Sequence, residues 1–176
     1  MSRRIKLNGL AGLLGAAAAF AAACAYAATA TSTFNVTATV NANCTLGSTN
    51  VAFPTYDPLG AGNIQGTGTL TLTCVKGTAP VSIDLNLGLN ASGSTRRMNA
   101  GGADFITYEL YQPTSNAAGA ACAYTTVWGT GVSNGLVPTA APSKAPRTYN
   151  VCGQTTQGQD VGAGSYSDTI TATVNF

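Results

Sequence analysis

The chain has 176 residues and no histidine, and that one absence removes most of the familiar catalytic arrangements. Neither a Ser–His–Asp nor a Cys–His constellation can be assembled. Charge is nearly as scarce, with 8 Lys and Arg and 6 Asp and Glu. A carboxylate pair for glycoside cleavage would have to come from Asp57, Asp84, Asp104, Glu109, Asp160 and Asp168. Six acids spread this widely read as solvated surface groups, so no enzyme is expected. The cysteines show no CxxC spacing, so neither a zinc site nor any other metal or cofactor is expected.

What is present begins with a leader. Arg3, Arg4 and Lys6 precede an apolar run from Leu7 to Ala23, and Ala25-Tyr26-Ala27 is a small-x-small cleavage site. This is the pattern of a secretory signal peptide over residues 1–27, with Ala28 as the new N-terminus, which predicts export to the periplasm or beyond. Removing it leaves five basic residues against six acids, a net charge of −1. No basic patch remains to neutralise a phosphate backbone, so nucleic acid is not an expected partner.

Four cysteines follow the leader: Cys44, Cys74, Cys122 and Cys152. An even number in an exported chain without histidine reads as disulfides. Four cysteines allow three connectivities; sequence order favours Cys44–Cys74 and Cys122–Cys152. In the chain-entropy model each such loop contributes roughly 3–4 kcal/mol.

The rest alternates with a period of two. Phe34, Val36, Ala38 and Val40 alternate with Asn35, Thr37 and Thr39, the signature of a half-buried strand. Leu70, Leu72 and Cys74 share a face against Thr69, Thr71 and Thr73, and strands are also predicted at 81–87, 105–111, 125–129 and 147–152. Pro54 confines any strand at 45–57 to a sheet edge. At the far end, Ser165 to Phe176 forms the closing strand, with Ile170, Ala172, Val174 and Phe176 on one face. No segment after the leader has helical periodicity. Residues 90–102 and 129–146 read as loops, with Arg96 and Arg97 solvated and pairing with Asp104. Trp128 could belong to a sugar-stacking platform, but the simpler reading places it in the core. Seven or so short strands divided by glycine-rich turns make an all-β sandwich of one domain, residues 42–176, preceded by a separate strand segment at 28–41.

Several stretches together carry a resemblance. They are Thr33-Phe34-Asn35-Val36-Thr37-Ala38-Thr39-Val40 leading to Cys44, Gly68-Thr69-Leu70-Thr71-Leu72-Thr73-Cys74, Arg96-Arg97-Met98, Tyr108-Glu109-Leu110-Tyr111, Thr125-Thr126-Val127-Trp128-Gly129, and the ending from Gly164 to Val174. In this order they resemble the spore coat protein U domain family, which includes subunits of archaic (Csu-type) chaperone–usher pili. The resemblance implies an immunoglobulin-like sandwich that lacks its last strand. It implies a periplasmic chaperone and an outer-membrane usher as partners, together with neighbouring subunits. Phe34, Val36, Ala38 and Val40 would then be donor side chains for the next subunit. Ile170, Ala172, Val174 and Phe176 would line the acceptor edge that faces the chaperone. The resemblance further implies a shaft or adaptor subunit serving surface adhesion and biofilm formation. A self-contained secreted coat or matrix domain, or a carbohydrate-binding module, remains the alternative reading of the same strands.

Overall fold

The computed structural model describes residues 27–176; the expected signal peptide, up to Tyr26, lies outside the described residues. The chain divides after Ala38, and the two parts are described separately. Residues 27–38 carry no regular secondary structure, and their side chains are exposed. The predicted strand at 34–40 therefore does not form in this chain by itself: no strand is assigned anywhere between 27 and 43. An alternating segment buries one face only when a second surface covers it, and an isolated strand has no ladder to hold it extended.

The second part holds eight strands: β1 (Cys44–Ala52), β2 (Asn63–Cys74), β3 (Ser82–Leu85), β4 (Arg96–Asn99), β5 (Phe105–Pro113), β6 (Cys122–Val127), β7 (Arg147–Thr156) and β8 (Ala172–Asn175). A single helical turn, α1 (Gly131–Asn134), interrupts the long connection expected to be irregular. Six strands form one sheet in the order β1-β2-β7-β5-β4, with β6 also paired to β5, and β3 and β8 form a small second sheet. All the strand pairs are antiparallel.

The core follows from the alternation. Leu70 and Leu72 on β2, Tyr108 and Leu110 on β5, and Tyr149 and Val151 on β7 are buried in one cluster with Ile83 and Leu85 of β3. Trp128 is fully buried, and its indole N–H donates to the Ile83 carbonyl at 2.7 Å, the partner a buried indole needs. β1 is an edge strand and ends before Pro54. Its ladder with β2 shifts between Thr49 and Ala52. At that bulge Gly66 faces β1 so closely that a Cβ would lie 2.4 Å from the Ala52 carbonyl oxygen. Cys44 bonds to Cys74 at the start of the β1–β2 ladder, and Cys122 bonds to Cys152, linking β6 to β7.

One sequence expectation fails instructively. The stretch 90–102 is not all loop: it contains β4, paired with the first half of β5. Arg96 is not solvated but 1% exposed, and its partner is Glu109 rather than Asp104. Its guanidinium also donates to the carbonyls of Leu85, Asn86 and Trp128 at 2.7–3.3 Å. Arg97 lies over the Phe105 ring, 4.0 Å from its centroid. Buried arginine is legible only through its acceptors, and these come from three distant parts of the chain. The closing strand is also shorter than expected, with its ladder confined to Ala172–Asn175.

Candidate strand-acceptor groove

Two strands of the domain have an unpaired edge facing the same space. Among the described residues, β1 pairs only with β2, and β8 pairs only with β3. Between them runs a groove of about 430 Å³. Leu46 and Val51 of β1 line one wall, Leu70 and Leu110 lie along its floor, and Ile170 and Ala172 form the other wall. Each wall follows from the two-residue period. Leu46 stands opposite Leu72 in the β1–β2 register, and from Asp168 to Val174 half-buried residues alternate with exposed Thr169, Thr171 and Thr173. An exposed edge of this kind presents unpaired backbone N–H and C=O groups and is a template for another strand. A second cavity of about 350 Å³ lies past the end of β1, lined by Val51, Phe53, Met98, Ile106 and Tyr166.

The residues expected at the acceptor edge divide along this run. Ile170 and Ala172 reach the groove. Val174 packs on the core with them, and Phe176 is 52% exposed. Of the expected donor residues, Phe34 is 84% exposed, Val36 87% and Val40 77%, and Ala38 is exposed as well. The other wall of the groove was not anticipated. Its signal was available in the step of two from Cys44 to Leu46, but only the ladder reveals that β1 has one free edge.

At one end of the groove stands a polar cluster that the sequence did not announce. Asp168 accepts the Tyr108 hydroxyl at 2.7 Å and the backbone amides of Leu89 and Asn90 at 3.0 and 3.1 Å. Burial, then the hydrogen bond to the Asp168 carboxylate, push the Tyr108 phenol far above its ordinary range, so it is held protonated. Among the described residues no group of three or more His, Cys, Asp or Glu side chains is placed to hold a metal.

The model of the spore coat protein U domain matches residues 30–173 of this sequence. The chain belongs to the spore coat protein U domain family. Within that family it is similar to "Protein U" of Myxococcus xanthus, 34% identical over 142 residues, covering 74% of this chain and 73% of that protein. In structure it is similar to a chain of the CsuC-CsuE chaperone-tip adhesion subunit pre-assembly complex from archaic chaperone-usher Csu pili of Acinetobacter baumannii. That match has a TM-score of 0.53 at 24% identity and covers 78% of this chain. The chain spans about two fifths of that neighbour's length, 41%. The spore coat U domain described here therefore has the pilin-type fold, an immunoglobulin-like sandwich left open between β1 and β8.

Proposed function

We propose that this protein is a structural subunit of an archaic chaperone–usher pilus and polymerises by donor-strand exchange. The observation that carries the reading is the groove: a trough with an apolar floor, bounded on both sides by strand edges that no other strand of the domain occupies. A closed, self-contained sandwich would have its inner strand there. The alternating segment at 34–40 has the chemistry the groove calls for, with Phe34, Val36, Ala38 and Val40 on one face.

Inserted into the groove of the next copy, the segment completes the sandwich. Burying Phe34, Val36 and Val40 contributes roughly 1.5–3 kcal/mol each, and hydrogen bonds to the β1 and β8 edges add to that. Ile170 and Ala172 form the acceptor side, and Val174 and Phe176 continue the same run beyond the groove. Before assembly the same edge needs a temporary occupant, because an open apolar edge promotes aggregation. A periplasmic chaperone supplies it, and the exchange for the next subunit takes place at an outer-membrane usher. The finished fibre serves surface adhesion and biofilm formation. Completion of a fold drives the assembly, so neither nucleotide nor metal takes part.

The test is a substitution in the segment. Phe34→Asp or Val36→Asp leaves the domain folded and bound to its chaperone but unable to enter the groove of its neighbouring subunit. Variant chains found in fibres at wild-type abundance would refute the proposal. A dispersed monomer that stays soluble without a chaperone would favour the self-contained coat domain instead.

A further inference from the structure

The groove's second wall is attached to the rest of the domain unevenly. At Ser167 the backbone makes a pair of hydrogen bonds with Asn99 of β4, at 2.9 and 3.1 Å. From Thr171 onward it is joined to the other sheet, first through Asn86 at 3.1 Å and then along the β3–β8 ladder. Between these points the chain passes from one sheet to the other. Among the described residues, no backbone hydrogen bond is made by residues 168, 169 or 170. Ile170, which forms part of the groove wall, lies in this unattached stretch.

Besides the packing of Ile170 on the core, one carboxylate supplies the hydrogen bonds that hold the stretch. Asp168 Oδ1 accepts the backbone N–H of Leu89 at 3.0 Å, that of Asn90 at 3.1 Å, and Nδ2 of Asn90 at 3.1 Å. Oδ2 accepts the hydroxyl of Tyr108, itself in the groove lining, at 2.7 Å. Gly88 leaves room for the carboxylate: it has φ +86°, and a Cβ there would lie 1.9 Å from Oδ2. Asp168 and Tyr108 both line the groove, so the anchor stands at its edge. An empty trough walled by Leu46, Leu70, Ile170 and Ala172 would otherwise gain by closing, because apolar surface leaves water when the walls meet. Bonds to an ionised acceptor resist that movement more strongly than neutral ones.

Resting on the strand-acceptance reading above, we infer that Asp168 is a positioning residue for the incoming strand. It keeps residues 168–170 at the spacing that one strand requires while the groove is empty. Once a strand is in place, its own ladder to this edge takes over the task, so the anchor matters for capture more than for retention.

The experiment uses the full chain from Ala28 onward, unfolded with its disulfides intact. It is diluted at low concentration into native buffer with an excess of fluorophore-labelled peptide spanning residues 30–43, and capture is followed by anisotropy. Asp168→Ala is expected to slow capture about tenfold, the factor that corresponds to roughly 1.4 kcal/mol, on the order of one charge-assisted hydrogen bond. The dissociation rate of bound peptide should stay at its wild-type value, and the thermal midpoint of the filled domain should fall by less than that of the unfilled one. Asp168→Asn, which keeps an acceptor for the two amides, should restore most of the rate. Tyr108→Phe, which removes only the phenol bond, should slow capture in the same direction by a smaller factor. Unchanged capture in the variants overturns the inference. So does a slowing matched by an equal loss of stability in the filled domain, which makes Asp168 an ordinary structural contact. Should Asp168→Ala fail to fold, wild-type rates for both Asp168→Asn and Tyr108→Phe overturn it equally. If the wild-type chain captures no peptide, the strand-acceptance reading itself falls.

Discussion

Arg96→Met puts the least expected feature of the domain to a quantitative test. The guanidinium is 1% exposed and joins four places: the Glu109 carboxylate on β5, the Leu85 and Asn86 carbonyls at the end of β3, and the Trp128 carbonyl. Glu109 is itself oriented by the Leu110 amide, which donates to its Oε1 at 2.9 Å. Methionine fills similar length but leaves three carbonyls and a carboxylate without their donor. Removing one partner of a buried pair costs about 3–5 kcal/mol. Glu109 is 28% exposed, so water can reach its carboxylate, and the lower end of that range is expected. The assay is urea unfolding of the disulfide-intact domain followed by the fluorescence of Trp128, the protein's one tryptophan, whose carbonyl is bonded to the arginine. A fall of about 3 kcal/mol at unchanged slope supports the account. A change under about 1 kcal/mol would mean that Arg96 is solvated in solution, and the reasoning would be refuted. Replacing Glu109 as well, by leucine, should recover part of the loss, because the cost lies in the uncompensated groups rather than in the absent attraction.

Other outcomes follow from the same structure. Replacing Cys44 and Cys74 together by serine should lower stability by roughly 3–4 kcal/mol in urea unfolding, the value of a loop of this length; a change below 1 kcal/mol would show that the β1–β2 ladder alone defines the edge. Tyr108 gives a pH dependence of definite sign. Its folded phenol is raised above the ordinary value of 10.0 by burial and by Asp168, so the neutral form favours the folded state. That contribution is fully present below about pH 10 and is lost as the pH rises through the folded value. Alkaline unfolding curves should therefore fall more steeply for the wild type than for Tyr108→Phe, and parallel curves would contradict it.

The two-residue period made most of the sandwich legible. Leu70, Leu72, Ile83, Leu85, Tyr108 and Leu110 were assignable to the core because strand alternation is a local property, written into neighbouring residues. Trp128 also lies in the core, the simpler of the two readings its sequence context allowed. What could not be read were features whose partners lie far apart in sequence. β4 was hidden in a polar stretch because its four residues are held by β5 rather than by an apolar pattern of their own. Arg96 and Asp168 looked like surface charges because nothing near them in sequence shows that carbonyls and amides 10 to 79 residues away converge on them.

By itself the sequence determined the class of the fold, the cysteines that could join, and two alternating segments, at 34–40 and 170–176, each needing a partner surface. Alternation says that a face will be buried but not by what. Only the tertiary structure decided that β1 and β8 each keep one edge free around a shared trough, because an unpaired edge is a property of how all the strands are ordered.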